Sequence, residues 1–349
     1  MQNQNAKKIL VTGACGYIGS HTVVDLINNG YEVIGIDNFV NSDDSCLNGI
    51  EEITGVRVKN YEVDLCDLAS TKAVFEQNQD IVGVIHFAAL KSVPESVLQP
   101  LSYYHNNTES LINLIEAMDC LNVRNLIFSS SCSVYGNAEE LPVTESTPMK
   151  EAQSPYARTK QIGEDLLRDL GQTDSKIRSI LLRYFNPAGA HPSGLIGESP
   201  LNTATSLVPV ITETAIGKRE SMMVYGDDYI TRDGSCVRDF IHVMDLANAH
   251  TKALQYLFSN EEIPPAEIFN LGIGTGVTVL EAIHAFEEVS GQKLNYKIGP
   301  RREGDVIAIY ANPAKAISKL GWTPTFTIEE IMRSAWRWQM RTKGLYESS

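Results

Sequence analysis

The sequence lacks the patterns that mark zinc sites and disulfide frameworks. None of its six cysteines belongs to a CxxC pair, and its seven histidines show no HxxxH spacing and no cysteine pair close behind them. Such patterns are the usual sequence evidence for a structural metal or for a secreted, cross-linked domain. We therefore expect free thiols, no bound metal and a cytoplasmic location.

Basic charge and long apolar runs are also scarce. The chain has 29 lysines and arginines against 43 aspartates and glutamates, a net charge of −14, and no basic run. This balance repels nucleic acid and anionic membrane surfaces. The segment MQNQNAKKILVTG has no apolar h-region of signal-peptide length, and no later segment approaches the apolar length of a membrane span. We expect a soluble protein that binds neither nucleic acid nor membranes.

The chain is long enough for two lobes or two domains, with 349 residues of which 43% are hydrophobic. Through about residue 186, short apolar runs alternate with longer stretches of helical period, which predicts an α/β fold with a parallel sheet wrapped by helices. After Asn186, segments rich in glycine and proline replace this alternation. We expect a Rossmann-like doubly wound sheet in residues 1–186, with 236–275 crossing back to it, and a smaller substrate-binding lobe in 187–349.

Periodicity places the main elements. The predicted strands are 8–12, 32–37, 56–63, 82–88, 125–130 and 179–185. Leu111, Leu114, Ile115 and Met118 keep i, i+3, i+4, i+7 spacing, which predicts one buried helix face. Beyond the break we expect a strand at IFNLGIG, a helix near 280–290, a loop at RREGD and a terminal helix through MRSAWRWQM.

A glycine-rich stretch, ILVTGACGYIGS, places Gly13, Gly16 and Gly19 between a predicted strand and a predicted helix. A phosphate-binding turn needs one glycine for the tight turn, one for the approach of a pyrophosphate and one for helix packing, while helix N–H groups stabilise the phosphate charge. The spacing is GxxGxxG, so the glycines alone also fit an ordinary tight βα turn.

An acid after the second predicted strand strengthens the dinucleotide interpretation. Asp37 lies close to the distance expected for a carboxylate that binds the adenosine ribose hydroxyls. No arginine is near in the sequence to receive a 2′-phosphate, and Asp43 and Asp44 would repel one. The pattern favours NAD over NADP, and the alternative is an aspartate that only caps a turn.

The stretch SPYARTK predicts a helix start that carries a reactive phenol. Ser154 offers an N-cap oxygen and Pro155 suits the first helical position, so Tyr156 lies in the first turn. Lys160 shares its helix face. The ammonium, a cationic nicotinamide ring and the helix N-terminus all favour the phenolate, and lowering its pKa by about three units needs about 4 kcal/mol. The alternative is a polar helix face whose YxxxK spacing arises by chance.

A third group is expected in the serine cluster of NLIFSSSCSVYG. Sheets of this class place their sites at the carboxyl ends of the strands. Ser131 is therefore the candidate for holding the reacting hydroxyl, and a solvated loop serine is the alternative.

Motifs spread over nearly the whole chain resemble those of one family. They are the GxxGxxG loop, Asp37, SSSCSVYG, YARTK, LLRYFNPAGAHPSG, VRDFIHVMDLA, NLGIGTG, RREGD and LGWTP. Together they look like the UDP-glucose (UDP-galactose) 4-epimerase family of the extended short-chain dehydrogenase/reductase superfamily. The later motifs are far more specific than the glycine loop.

The resemblance implies an isomerase that interconverts UDP-galactose and UDP-glucose with tightly bound NAD. Ser131, Tyr156 and Lys160 would be the catalytic triad, with Tyr156 removing the proton from the sugar's 4-hydroxyl. Hydride would pass from carbon 4 to NAD, and the 4-keto sugar would turn about its diphosphate link and take the hydride back on its other face. The reaction is redox-neutral, so the cofactor must stay bound.

The resemblance also implies the residues that surround NAD. They are Gly13, Gly16, Tyr17, Ile18, Gly19, Asp37, Asn38, Asn41, Ser42, Asp64, Leu65, Phe87, Ala88, Lys91, Asn106, Ser131, Tyr156, Lys160 and Phe185. Asp64 and Leu65 would flank the adenine. For Lys91, the alternative is a solvated turn lysine after a buried strand.

For the UDP-sugar, the family pattern implies contacts from Lys91, Ser131, Tyr156, Asn186, Ser206, Leu207, Tyr225, Arg238, Arg302, Asp305 and Ile309. Arg238 and Arg302 would bind the diphosphate, because guanidinium donates paired hydrogen bonds to phosphate oxygens. Asn186 would hold the substrate beside the cofactor, and Tyr225 would lie by the uracil. Arg301 falls outside the motif match, so a surface ion pair is expected there.

Two positions depart from the family pattern. Ser206 stands in the place of an asparagine near the diphosphate, so one hydrogen bond to the substrate is in question. Ile309 stands where narrow-specificity members carry tyrosine and broader ones a smaller residue. This difference predicts room for a 2-acetamido group, and hence epimerisation of UDP-N-acetylglucosamine as well.

Three other functions fit parts of the pattern. A nucleotide-sugar 4,6-dehydratase needs an extra acid near the serine motif, where this chain has Cys132 and Ser133. A UDP-glucuronate epimerase or decarboxylase needs a cation that faces the sugar carboxylate, which the sequence by itself leaves open. A redox-sensing regulator that binds NAD without catalysis has no need of Tyr156 and Lys160.

The resemblance further implies a homodimer joined by a four-helix bundle. The helices after Asn106 and after Ser154 would form this bundle. Their apolar residues equally fit burial inside a single chain.

Overall fold

The computed structural model describes residues 6–199, 203–302 and 306–344. The strands are β1 (Lys8–Thr12), β2 (Glu32–Ile36), β3 (Lys59–Tyr61), β4 (Ile81–His86), β5 (Asn125–Ser131), β6 (Arg178–Tyr184), β7 (Asn186–Ala188), β8 (Met222–Tyr225), β9 (Val237–Arg238), β10 (Phe240–His242), β11 (Ala266–Leu271), β12 (Val277–Thr278), β13 (Tyr296–Gly299) and β14 (Ala308–Ile309). The helices are α1 (Tyr17–Asn28), α2 (Ser45–Thr54), α3 (Leu68–Gln77), α4 (Val93–Leu98), α5 (Pro100–Cys120), α6 (Pro155–Leu170), α7 (Leu207–Ala215), α8 (Val243–Ser259), α9 (Val279–Ser290), α10 (Ala314–Leu320) and α11 (Ile328–Thr342). A short 3-10 helix, Cys132–Tyr135, follows β5.

Seven parallel strands form the central sheet, in the order β11-β6-β5-β4-β1-β2-β3. This confirms the predicted doubly wound α/β class and the presence of all six strands expected before residue 186. Because β1 lies between β2 and β4, the chain builds first one half of the sheet and then the other. Such a reversal creates a crevice at the carboxyl ends of the two central strands, where ligands of this fold class bind.

One strand is shorter than the sequence predicts. The prediction of a strand over 56–63 is wrong in its length, because β3 covers only Lys59–Tyr61. Three of its residues pair with β2, and Val56, near the expected start, is exposed to solvent. An apolar residue there does not reach the sheet.

Alternate residues of β1 enter two different cores, one on each face of the sheet. Ile9 and Val11 pack in a cluster with apolar residues of α1 and α8, whereas Leu10 packs with residues of α3 and α5. Side chains in a strand alternate between the two faces, so a continuous apolar run is what a doubly covered strand requires. The helix face predicted from Leu111 to Met118 is buried against the second of these cores.

A further hydrophobic core lies among α7, α9, α11 and β8. The helices expected near 280–290 and through MRSAWRWQM are α9 and α11, and the strand expected at IFNLGIG is β11. Three small sheets, β10-β7, β12-β9-β14 and β13-β8, connect this part of the chain. In the described ranges, we find no helix that combines the length and the apolar character needed to span a membrane.

Candidate active site

The carboxyl ends of β1, β4, β5 and β6 lie at one edge of the central sheet. The glycine loop follows β1, Phe87 and Ala88 follow β4, Ser131 ends β5, and Phe185 follows β6. Segments that are far apart in the sequence therefore surround one crevice, at the position where this fold class binds its ligands.

The glycine loop is too closely packed for side chains at two of its three positions. Gly13 has φ of 68°, and a Cβ there would lie 2.9 Å from the backbone nitrogen of Ala88. A Cβ on Gly19 would lie 2.1 Å from the carbonyl oxygen of Gly13. Gly16 precedes α1 and donates its N–H to that same oxygen at 3.1 Å. The turn and the close helix packing are thus both present.

Asp37 ties the end of β2 to the glycine loop. One carboxylate oxygen accepts the N–H of Cys15 at 3.0 Å. The other accepts the N–H of Phe39 at 3.0 Å and the hydroxyl of Ser42 at 2.7 Å. Asp37 is buried, and Asn38 and the exposed Asn41 belong to the same turn. The carboxylate therefore holds the glycine loop and the turn after β2 in position. It also lies at the end of β2, where a ribose contact is expected.

The other residues expected around the cofactor belong to α1, to α5 and to the segments that follow β3 and β4. Tyr17 and Ile18 begin α1, and the Tyr17 hydroxyl donates to the carbonyl of Gly189 at 2.7 Å. Asp64 and Leu65 lie between β3 and α3, and Asn106 lies on α5. Lys91 has its side chain 68% exposed, with Nζ 3.4 Å from Glu198.

Ser131, Tyr156 and Lys160 come together between β5 and α6. The Ser154 hydroxyl accepts the N–H of Ala157 at 3.1 Å, so α6 begins at Pro155, as the sequence predicts, and Tyr156 lies in its first turn. The Tyr156 phenol forms a hydrogen bond with the Ser131 side chain. Lys160 Nζ lies 6.0 Å from the Tyr156 ring centre.

The ammonium of Lys160 is buried and hydrogen-bonded to the backbone of β5. It donates to the carbonyl of Ser129 at 2.6 Å and lies 5.1 Å from the ring centre of Phe128. Burial lowers the pKa of Lys160 to about 8, although the nearby Glu164 carboxylate acts in the opposite direction. Desolvation disfavours the charged form and here outweighs the attraction.

Desolvation opposes ionisation of the Tyr156 phenol. Burial raises its pKa to about 12, the hydrogen bond from Ser131 lowers it, and the Cys132 thiol raises it. Desolvation of the phenolate is the largest effect among the chain's own groups. The expected lowering also depends on the cationic nicotinamide ring, so it stays a prediction.

A buried network beneath this site was missed from the sequence. Glu164 receives two hydrogen bonds from Arg183, at 2.9 and 2.5 Å, and one from the Ser130 hydroxyl at 2.5 Å. Arg183 also lies 4.7 Å from the ring centre of Tyr135. Two signals could have revealed it: a glutamate one turn after Lys160, and an arginine inside the apolar run of β6.

The expected substrate residues lie near the loop after β6. The Asn186 side-chain oxygen is buried without a hydrogen-bond partner in the structure, which fits a group reserved for a ligand. Arg238, in β9, donates to the carbonyls of Val237 and Val306 at 2.8 and 2.9 Å. Ile309 pairs with Arg238 across β14 and β9, and is buried in a cluster that contains Phe185.

The remaining expected substrate residues lie further out. The Arg302 guanidinium lies 4.4 Å from the ring centre of the exposed Tyr225. Arg301 forms the ion pair expected of it, with Nε 2.7 Å from Asp228. Ser206 and Leu207 are at the start of α7, and Asp305 falls outside the described residues.

Comparison with known proteins identifies the family of this chain. The family model described as GDP-mannose 4,6 dehydratase matches residues 10–335. A UDP-glucose 4-epimerase of Bacillus subtilis is 48% identical over 341 residues, which are 98% of this chain and 99% of that protein. The chain belongs to the UDP-glucose 4-epimerase family.

Solved structures of this epimerase family have the same fold. The UDP-glucose 4-epimerase of Bifidobacterium longum, in complex with NAD+ and UDP, has a TM-score of 0.92 and 44% identity, covering 97% of this chain and 100% of that one. The UDP-Glc/GlcNAc 4-epimerase of Campylobacter jejuni has a TM-score of 0.83 and 37% identity, covering 96% and 100%.

The dehydratase alternative requires an extra acid near Ser131. The next two residues, Cys132 and Ser133, carry no carboxylate. Burial, and to a smaller extent the Asp239 carboxylate, raises the pKa of the Cys132 thiol. Asp239 is fully buried and accepts three backbone N–H groups, so it holds loops together.

Proposed function

We propose that the protein interconverts UDP-galactose and UDP-glucose by inverting carbon 4 of the sugar through a transient 4-keto intermediate, with tightly bound NAD. The observation that carries the proposal is the buried contact of Tyr156 with Ser131, one helical turn from Lys160, at the edge of the sheet that also carries the glycine loop. The family relationship over nearly the whole chain supports the same reaction.

The residues present fit NAD. A Cβ at Gly13 or Gly19 would collide with backbone, so these glycines permit the tight turn that leads into the start of α1, where a pyrophosphate would be stabilised. Asp37 supplies a carboxylate for the ribose. Bound NAD would supply the hydride-transfer chemistry. The chain's own residues must hold the cofactor, orient the sugar and move the proton.

Tyr156 is the proposed base, with its phenol oxygen as the proton acceptor for the sugar's 4-hydroxyl. Ser131 donates a hydrogen bond toward that oxygen and would orient both hydroxyls. The buried Lys160 would stabilise the phenolate. Burial excludes water, so each charge placed near the phenol has a larger effect than in solvent.

The diphosphate would be bound by Arg238 and Arg302, which reach the site from different segments. Two phosphate charges approach a protein of net charge −14, so local cations must offset the repulsion. Asn186 would accept a hydrogen bond from the substrate with its unpartnered oxygen. Lys91, Ser206, Leu207 and Asp305 remain proposed contacts.

Ile309 is the proposed determinant of substrate range. It lacks the ring and hydroxyl of a tyrosine, so the adjoining space would admit a 2-acetamido group. We expect the protein to epimerise UDP-N-acetylglucosamine, and we expect Ile309→Tyr to lower that activity at least about tenfold while conversion of UDP-galactose persists. If the unmodified protein converts UDP-galactose but not the N-acetylated sugar, this specificity proposal is refuted.

A homodimer is proposed through the outer faces of α5 and α6. Leu101 has its side chain 81% exposed on α5, and Ile112 on the same helix is also exposed. Ile162 and Leu166 line an open groove on α6. A four-helix bundle would cover these apolar groups. Light scattering should give twice the chain mass, and a monomer would contradict the proposal.

We further propose that residues 1–186 with 236–275 hold NAD, and that 187–349 otherwise bind the UDP-sugar. β11 and α8 both belong to the segment that returns to the central sheet. A cytoplasmic location is also proposed, and the six free cysteines fit a reducing compartment.

The function is tested by denaturing the purified protein, measuring the absorbance of any released nicotinamide cofactor, and following conversion of UDP-galactose to UDP-glucose by the native protein. We expect both the cofactor and turnover. Bound cofactor without turnover of any UDP-sugar would favour a redox-sensing regulator. Absence of cofactor, with none retained when NAD is supplied, would reject the proposed reaction.

A further inference from the structure

Three potential metal ligands converge on the surface between α5 and the segment that precedes α3. They are the thiol of Cys66, the imidazole of His105 and the carboxylate of Glu109, and their ligand atoms all lie within 4.8 Å of one another. His105 Nδ1 is 2.9 Å from a Glu109 oxygen. None of the three belongs to the proposed catalytic site.

Two of these ligands are placed by helix geometry. His105 and Glu109 are four residues apart on α5 and therefore lie on the same face, one turn from each other. Histidine and carboxylate side chains at this spacing reach one ion without distortion of the helix.

The third ligand is held in place by the segment around it. Asn113, a buried residue of α5, donates to the carbonyl of Leu65 at 2.9 Å. The N–H of Cys66 donates to Asp64 at 2.9 Å, and its thiol lies 3.8 Å from the carbonyl of Asn106. The segment that carries Cys66 is thus docked on the helix that carries the other two ligands.

The charges near the thiol are of one sign. The negative charges of Asp64 and Glu109 both interact electrostatically with the Cys66 thiol, and Asp64 also forms a hydrogen bond with it. Lys72 pairs with Glu116 further along α5, at 3.7 Å. In the single chain, His105 has its side chain 72% exposed and Glu109 40%, so an ion can reach the cluster from solvent and retain a water ligand.

We propose that Cys66, His105 and Glu109 bind a divalent transition metal ion of the zinc type. A thiolate and an imidazole favour zinc or cobalt over magnesium or calcium, and the carboxylate adds negative charge. On binding, the sulfur–metal bond replaces the S–H bond and one proton passes to solvent. Water would complete a tetrahedral site. The ion would fasten the segment after β3 to α5.

The test is a titration of the purified full-length protein, reduced and treated with chelator, with Co²⁺ followed by absorbance. We expect a near-ultraviolet thiolate-to-cobalt band that saturates at about one ion per chain, and its loss when Zn²⁺ is added. Cys66→Ser should abolish the band. His105→Ala should weaken binding at least about tenfold, since changes even behind the ligands have effects of that size. Cys120→Ser, which alters an exposed thiol on the same helix, is the matched control and should bind as the parent does.

Two results would overturn the proposal: absence of a saturable band, or a band that persists in Cys66→Ser. Circular dichroism shows whether that variant is folded. If it is not, His105→Ala decides the question, because its side chain is largely exposed and its removal leaves the fold intact. Unchanged cobalt affinity in that variant would reject the site.

Discussion

At the scale of single residues, burial governs the charges of the candidate site. It raises the pKa of Tyr156 to about 12 and lowers that of Lys160 to about 8. At this pKa, ionising the phenol at neutral pH needs about 7 kcal/mol of stabilisation of the phenolate. A phenol with the ordinary pKa would need about 4 kcal/mol. One unit charge about 5 Å away contributes about 3 kcal/mol at an effective dielectric constant of about 20. Two cations are therefore required, the Lys160 ammonium and the positively charged ring of bound NAD.

Removing the phenol oxygen should separate catalysis from cofactor binding. We expect Tyr156→Phe to lower turnover of UDP-galactose at least about a hundredfold, because the proton acceptor is lost, while the cofactor released on denaturation stays unchanged. Tyr104→Phe, at a tyrosine of α5, is the control. An unaltered rate in Tyr156→Phe would reject the assignment of the base.

The pair of Glu164 and Arg183 is a second residue-scale feature, and a stability test applies to it. Both side chains are fully or nearly fully buried. Glu164→Gln leaves the guanidinium charge without its partner, so we expect the free energy of unfolding to fall by about 3 to 5 kcal/mol in urea titrations. Glu139→Gln removes the partner of Lys150 from an exposed pair and should have little effect. Equal losses in both variants would contradict this reasoning.

At the scale of elements, the site depends on where strands end and helices begin. β5 ends in Ser131, and the Ser154 cap starts α6 so that Tyr156 lies in its first turn. The glycine loop brings the first turn of α1 against the end of β1. These junctions place groups from separate elements within contact.

The junction of β1 and α1 gives a prediction for the glycines. Gly19→Ala should weaken cofactor retention and stability, because its Cβ would lie 2.1 Å from a backbone oxygen that cannot move aside. Gly16→Ala meets the same oxygen at 3.2 Å and should be milder. Cofactor content after gel filtration and urea unfolding measure both effects. The reverse order of severity would show that the packing explanation is wrong.

At the scale of the whole molecule, the cores enclose histidines that remain neutral. Burial lowers the pKa of His21, His86 and His242 to about 3, and that of His250 to about 4. The unfolded chain takes up protons at these positions below about pH 6.5, whereas the folded chain does not. The folded state therefore loses stability as the pH falls from about 6.5 toward 4.

We expect this loss to reach about 1.4 kcal/mol per pH unit for each of the four histidines. Urea unfolding at several values between pH 7 and pH 5 measures it. A free energy of unfolding that stays constant over this range would contradict the prediction.

The sequence by itself determined the features that depend on neighbouring residues. Apolar runs located the strands, i, i+3, i+4 spacing located the buried face of α5, and Ser154 with Pro155 located the start of α6. The motifs from GxxGxxG to LGWTP were enough to identify the family. In each case the physical cause lies within a few residues of the signal: alternation, helix periodicity or a cap.

Only the tertiary structure decided which distant residues meet and how far they are removed from water. It joined β11 to β6, paired Glu164 with Arg183, and brought Cys66 to His105 and Glu109. It also showed that burial opposes ionisation of Tyr156. Desolvation depends on all the chain that covers a group, and such contacts cross long sequence separations, so no local pattern could encode them.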